Sequence, residues 1–182
     1  MPEVRCRAAT AEDVEAIARL HAQSWRDDYR GIYADAFLDG DVLSNRLAVW
    51  GKRLTEADPN RFTVLAEDDS TVVGFIHVIL DADHTCGAVV QNLHVARHVQ
   101  RQGIGSRLMA EGIGVLRDRR PASGLYVLVR EDNTRARAFY EARRGADAGH
   151  DVGGPFPDGS RAPVLRYVWR APVARGSAAL LR

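Results

Sequence analysis

The sequence predicts an α/β (α+β) domain in which a mixed sheet carries helices on both faces. Three observations lead there. Apolar residues recur at helical spacing through the first fifty-odd positions, the period becomes strand-like after residue 60, and the second half reads strand, helix, strand, helix and then one or two strands. The chain has 182 residues, enough to bury one sizeable core without staples. The expected organisation is one domain over 1–170, followed by a loose tail over 171–182 marked by Pro172, Gly176 and small residues.

Val4 to Ala8 reads as a short first strand. Thr10 followed by Asp13 makes a capping-box-like helix start, and Val14, Ile17, His21 and Trp25 then recur at helical spacing, so one face of this helix is buried. His21 lies on that face, where a hydrogen-bonded core histidine is favoured over a catalytic one. After the break at Asp39-Gly40-Asp41, a second helix carries Leu43, Leu47, Trp50 and Leu54 and stops near Asp58-Pro59-Asn60. Arg61 to Ala66 and Thr71 to Leu80 are rich in Val, Ile, Phe and Thr around the acidic turn Glu67-Asp68-Asp69-Ser70, a hairpin signal. Ala88 to Val95 is the next strand. It leads through a glycine-containing turn into a helix reaching about Arg119, then a strand at Leu125 to Val129 and a short helix from Thr134 to Arg143 stopped by Gly145. His150 to Gly159 is a long loop where a lid would sit, and Ala162 to Trp169 is the last strand.

Charge and cysteine content remove several function classes. Lys plus Arg total 25 against 24 Asp plus Glu, so the excess charge that nucleic acid or an anionic membrane would need is missing. Cys6 and Cys86 fit no metal-ligand spacing, no metal is expected, and so few thiols suit a reducing compartment. No apolar stretch follows the N-terminal Met-Pro-Glu-Val-Arg, and runs such as Leu125 to Val129 are too short to span a bilayer, so a cytoplasmic protein is the expectation. Lys52 is the single lysine. A lysine-modifying activity would find almost no target on the chain itself.

The motif that carries chemistry is Gln100-x-x-Gly103-x-Gly105, set between a strand and a helix. Glycines there let the backbone approach a bulky anion, and the helix N-terminus adds about half a positive charge, which makes a pyrophosphate cradle. A P-loop would end in Lys-Ser/Thr and a dinucleotide fold would space its glycines differently. A plain strand-to-helix turn is the competing reading.

The text around this loop, Val95 to Met109, resembles the GNAT superfamily of acetyl-CoA-dependent N-acyltransferases, whose central motif is Gln/Arg-x-x-Gly-x-Gly/Ala after a bulged strand. Asn133-Thr134-Arg135-Ala136-Arg137-Ala138-Phe139-Tyr140-Glu141 is similar to the family's second motif, and Ser24 to Gly31 to the acceptor-side helix of bacterial members. The resemblance spans Val4 to Arg170 and implies a GNAT-like, mostly antiparallel central sheet. It also implies acetyl-CoA as co-substrate, with the backbone of Leu93 and Val95 pairing with the pantetheine arm. Gln100, Arg101, Gln102, Gly103, Ile104, Gly105 and Ser106 would hold the pyrophosphate. Asn133 would bond the cofactor near its thiol end, and the Tyr140 hydroxyl would point at the sulfur. Asn133 also suits a helix N-cap, and Tyr140 a core aromatic beside Ala136. Dimers through sheet edges are common in the family.

The sequence departs from the family pattern twice. Gly145-Ala146 replaces the usual Gly-Phe after the second motif, and Val89 and Gln91 occupy positions where members often carry Glu or His. A direct base is therefore missing from its expected place. Acyl transfer to an amine needs the amine deprotonated, the carbonyl oxygen met by a donor, here an unpaired N–H at a bulge near Leu93, and the thiolate protonated. Tyr140 is the candidate acid, Gln91 would orient a relay water, and His94 is the alternative base. Trp25, Tyr29 and Tyr33 would line the acceptor pocket, and Asp27 and Asp28 either attract a cationic amine or form a solvated acidic surface. The expected activity is transfer of acetyl to a primary amine, of a small molecule or of a peptide N-terminus or lysine. The competing reading is a non-catalytic acyl-CoA-binding sensor.

Overall fold

The computed structural model describes residues 4–170, so the expected tail at 171–182 lies outside the described residues. The strands are β1 (Arg5–Ala8), β2 (Arg61–Asp68), β3 (Thr71–Asp83), β4 (Gly87–Val95), β5 (Leu125–Arg130), β6 (Ala146–Gly153) and β7 (Ala162–Trp169). The helices are α1 (Val14–Asp28), α2 (Asp35–Leu38), α3 (Val42–Thr55), α4 (Ile104–Arg119) and α5 (Thr134–Glu141). The strands form one seven-stranded sheet in the order β1-β2-β3-β4-β5-β7-β6, antiparallel at every junction except β4 to β5. No helix among the described residues is long and apolar enough to cross a membrane.

The central strands are apolar along their length because both faces are covered, and alternation sorts their side chains between two layers. Leu65 and Phe75 meet Ile17, Ala18 and Trp50 beneath α1 and α3. Val64, Ile76 and Val78 pack on the other face with Leu108, Met109 and Leu116 of α4 and Tyr140 of α5. The capping box forms as the sequence predicts, with Thr10 and Asp13 as its partners, and Arg7 clamps the Asp13 carboxylate through two bonds of 2.7 and 2.8 Å. His21 is fully buried and its Nδ1 accepts from Trp50 Nε1 at 3.0 Å, so the core role expected for it holds and the bond joins α1 to α3.

The β4–β5 junction is parallel and very short. Only Ala88 with Leu125 and Val89 with Tyr126 pair, after which β4 stays with β3 and β5 stays with β7. The sheet therefore opens into a V between Asn92 and Val127. A bulge sits at the start of the opening: His77 pairs with Asn92 and Val78 with Val90, leaving Gln91 as the extra residue. Backbone polarity confirms the insertion. The Ala88 amide donates toward β5, to the Gly124 carbonyl at 3.0 Å, whereas the Ala96 amide donates toward β3, to the Val73 carbonyl at 2.8 Å. Amides an even number of residues apart on a strand face opposite edges only when one residue has been inserted between them. The N–H and C=O of Leu93 and Val95 are thereby turned to the open edge. The bulge expected near Leu93 is centred two residues earlier, and it is this earlier position that inverts the alternation for everything downstream.

One element is added to the expected order and two expectations are corrected. The single turn α2 has no periodicity to announce it. The short helix ends at Glu141 rather than Arg143. His150 to Gly153 belong to β6 rather than to the expected lid, which shrinks to residues 154–161. β6 is exposed along most of its length, so no apolar alternation marks it; its backbone pairing with β7 is what makes it a strand.

Gly87 opens β4 with φ of +86°, and a Cβ there would stand 2.4 Å from Ser123 Oγ and 2.5 Å from the Gly124 carbonyl oxygen. Gly87→Ala combines left-handed strain with a clash at the β4–β5 junction. We expect it to cost about 2 kcal/mol or more and to lower Tm by about 4 °C or more, measured by thermal unfolding. An unchanged Tm would show that the junction does not need this close approach.

Candidate active site

Two cavities of about 450 Å³ each open on the V of the sheet and meet at Tyr29, Leu93, His94, Asn133, Ala136 and Tyr140. One reaches toward the start of α4, the other lies under α1 and α3.

In the first cavity the loop 100–106 wraps the N-terminus of α4. Gly103 is its N-cap at φ of +86°, with no side chain capping the helix amides, so they are left for a ligand. A Cβ on Gly103 would meet nothing within 4 Å; its backbone angle, not crowding, requires glycine. Gly105 has a different reason, since a Cβ there would stand 3.0 Å from the Phe139 ring, and it sets how closely α4 and α5 approach. Gln100 turns inward: its Nε2 donates to the Val95 carbonyl at 2.9 Å and to Asp28 at 3.1 Å, and its Oε1 accepts from Arg135. It shapes the loop from behind. Ile104 is buried in the core and offers only backbone, Gln102 is exposed outside the cavity lining, and Ser106 Oγ accepts from Arg143.

The cations of this cavity are Arg101, Arg135 and Arg143. Arg143 stacks its guanidinium 3.5 Å above the Phe139 ring, and burial lowers its pKa. Arg135 and Arg143 were missed in the sequence reading, although with Phe139 they fall at positions i, i+8 and i+4 of one stripe, a spacing visible in the sequence.

At the meeting point Asn133 acts as the N-cap of α5, its Oδ1 accepting from the Ala136 amide at 3.0 Å, while its side chain also meets the Tyr29 hydroxyl at the cavity. Tyr140 is buried, packed parallel to Tyr167 at 6.4 Å and edge-on to Trp169 at 5.8 Å. Burial, with the neighbouring Tyr29, raises its pKa, and no described residue hydrogen-bonds its hydroxyl. The ring is a core aromatic with one edge on the cavity.

The second cavity gathers Trp25, Tyr29 and Tyr33 from the end of α1, Arg46 and Arg53 from α3, and Phe156 from the loop 154–161. The loop is fastened where Asp158 accepts from the Ala34 amide at 3.0 Å, and Phe156 lies 6.2 Å from Tyr33. Gln91, the bulge residue, accepts from Arg53 at 2.6 Å, and Asn92 accepts from the same guanidinium at 2.8 Å. His94 faces this side, 4.4 Å from His21 between ring centroids, and burial pushes its pKa down to about 3. It is a neutral imidazole at pH 7 and a weak base. Asp27 and Asp28 do not line this cavity: Asp28 is held by Gln100 and Arg135, and Asp27 by Gln23. Of the two readings of this pair, attraction of an amine into this cavity does not hold, and Asp28 is engaged instead at the first cavity. Arg46, Arg53 and Arg130, none of them anticipated, supply the charge there.

The chain can be compared with known proteins on this geometry. The model of the Acetyltransferase (GNAT) family matches residues 14–146. A probable N-acetyltransferase of Mycobacterium tuberculosis is 28% identical over 141 residues, 77% of this chain and 78% of that protein. In fold, the chain is similar to the PaiA N-acetyltransferase of Thermoplasma acidophilum, solved with coenzyme A, at 19% identity over 92% of this chain and 99% of that one, with a TM-score of 0.67. It is also similar to the ribosomal-protein-S18-alanine N-acetyltransferase of Escherichia coli, at 19% identity over 98% of this chain and 100% of that one, with a TM-score of 0.70.

Buried histidines make the fold sensitive to acid. Desolvation lowers the pKa of His77 to about 3 as it does His94, and holds His21 well below its ordinary value. Each is neutral when folded and binds a proton when unfolded below about pH 6.5, so stability is complete above that pH and falls as the solution is acidified. The expected slope is about 1.4 kcal/mol per pH unit per histidine, levelling off near pH 3. Urea unfolding at pH 7 and pH 5 measures it, and His77→Gln should reduce the slope by one proton.

Proposed function

Because this chain belongs to the GNAT acetyltransferase family, we propose that it moves an acetyl group from acetyl-CoA to a primary amine by direct attack, with Tyr140 as general acid. The observation that carries the reading is the open edge of β4, which runs from the α4 N-terminus to Tyr140 where the two cavities join. The residues fit the co-substrate. Leu93 and Val95 present unpaired backbone groups to an amide-bearing arm, though the Val95 carbonyl already accepts from Gln100. The uncapped amides after Gly103, with Arg101, Arg135 and Arg143, suit a pyrophosphate.

When bound, acetyl-CoA supplies the thioester carbonyl and a thiolate leaving group. The Leu93 amide stands at the open edge to meet the carbonyl oxygen as charge develops. The attacking nitrogen bonds to the carbonyl carbon, the C–S bond breaks, the Tyr140 proton passes to sulfur, and the nitrogen loses its surplus proton to water while the tyrosinate regains one from solvent. Burial that raises the Tyr140 pKa keeps that proton in place until then. On the acceptor side an ammonium entering the aromatic cavity finds no carboxylate among the described lining residues and three guanidinium groups, of which only Arg130 is paired with a carboxylate, so its neutral form is favoured. The proton leaves through water at the mouth, where Gln91 is held by Arg53 with its own NH₂ group still free to donate.

The missing carboxylate at Val89 and Gln91 is the observation that favours a non-catalytic acyl-CoA-binding module. Thiol release from acetyl-CoA against pooled amines separates the two. Tyr140→Phe keeps the ring and its packing, and kcat should fall roughly 10² to 10⁴-fold with CoA affinity little changed. In the same assay His94→Ala should retain most activity, and the rate should climb with pH without a limb near about 6.5. Wild-type turnover in Tyr140→Phe would remove the assigned acid.

A further inference from the structure

We infer that the acceptor is a small amino carboxylic acid, its carboxylate received by Arg46 and Arg53. The inference rests on the transferase reading above and names the substrate class of that same site. Arg46 and Arg53 are seven residues apart on α3, two turns that return to the same face, so their side chains enter one cavity from Cα positions about 10 Å apart along the axis.

Arg46 is only 7% exposed, yet no carboxylate pairs with it among the described residues. Its guanidinium lies 4.2 Å over the Trp25 ring and bonds the side-chain oxygen of its neighbour Asn45, with Nε at 3.1 Å. Arg53 is half-buried and bonds only the neutral amide oxygens of Gln91 and Asn92. Elsewhere the protein pairs its arginines readily: Arg7, Arg30, Arg120 and Arg135 all meet carboxylates while 40% exposed or more. The third arginine of the cavity, Arg130, is neutralised by Asp132 at 2.6 and 3.0 Å. Leaving the more buried guanidinium groups without an anion is costly, and an arriving anion recovers that cost.

The remaining lining groups decide the sign and size of the ligand. His94 is neutral, the tyrosines are protonated, and no Asp or Glu lines the cavity among the described residues, so two positive charges stand uncompensated. Polyamines and aminoglycosides would add further positive charge to them. A carboxylate forms bidentate, charge-assisted bonds with guanidinium and still leaves one net positive charge to disfavour an ammonium. A cavity of about 450 Å³ walled by Trp25, Tyr33 and Phe156 suits an amino acid with an apolar side chain.

The test pairs each proteinogenic amino acid with its carboxamide, adds spermidine, an aminoglycoside and a tripeptide amide, and measures thiol release from acetyl-CoA with wild type, Arg46→Met, Arg46→Lys and Arg53→Gln. The expected result is kcat/KM at least tenfold higher for an acid than for its amide, chiefly through KM. That ratio should collapse in Arg46→Met with CoA affinity unchanged, and survive in part in Arg46→Lys. Arg46→Met should also unfold at no lower temperature than wild type, since it removes an unpaired buried charge; should it fail to fold, Arg46→Lys and Arg53→Gln carry the comparison. Amides, spermidine, the aminoglycoside or the tripeptide amide matching the acids would overturn the inference, as would a ratio insensitive to the Arg46 and Arg53 changes. If no amine releases thiol, the transferase reading fails by itself. Calorimetric titration of the same acids and amides into the CoA-loaded protein then decides the inference separately: acid-selective binding lost on removal of the Arg46 charge supports it, and its absence overturns it.

Discussion

One inserted residue governs the architecture of the site. Gln91 has no partner on β3, and its insertion reverses which edge each later β4 residue presents. Without it, Leu93 and Val95 would donate to β3 and the open edge would carry the other register. With β5 committed to β7 along all six of its residues, nothing in the sheet satisfies the freed groups of β4. Unpaired backbone groups in a half-buried cleft are costly, so the cleft is built for a ligand with amides of its own.

Around that cleft a polar node keeps three elements in place. Asp28 at the end of α1 receives Gln100 from the loop and Arg135 from α5, and Gln100 also returns to the Val95 carbonyl. The acidic residue thereby orients the loop before α4. On the opposite face, edge-on and tilted aromatic and imidazole rings replace such ion pairs: His21 lies between Trp25, Trp50, Phe75 and His94 with centroids 4.4 to 5.9 Å away. Burial in this layer desolvates the imidazoles and keeps them neutral. Burial likewise lowers the pKa of Arg46 and Arg53 to about 10, although both stay charged at neutral pH.

Much of the first cavity was legible because its signals are local. Gly103 needs a left-handed backbone, Asn133 caps the helix that follows it, and Phe139 and Tyr140 ride one short amphipathic turn, so each is readable within a few residues. Core faces of α1 and α3 were legible for the same reason, through their 3.6-residue period. The edge strand β6 was not, because strand identity there comes from a partner across the sheet rather than from its own pattern.

The sequence by itself determined the order of elements apart from α2 and β6, the buried helical faces, the glycine turn and the aromatic pair that ends in Tyr140. Tertiary structure decided the acceptor side. Arg46 and Arg53 lie on a helix about 40 residues from Gln91 and Asn92, and Arg130 and Phe156 come from still further along the chain. No local period links such positions, and an arginine's charge means little until its surroundings show whether a carboxylate stands beside it. Asp27 and Asp28 make the point in reverse: adjacent to the aromatic residues in sequence, they are turned away from the second cavity, Asp27 to Gln23 and Asp28 to Gln100 and Arg135 at the first cavity, while the guanidinium groups of α3 reach the second.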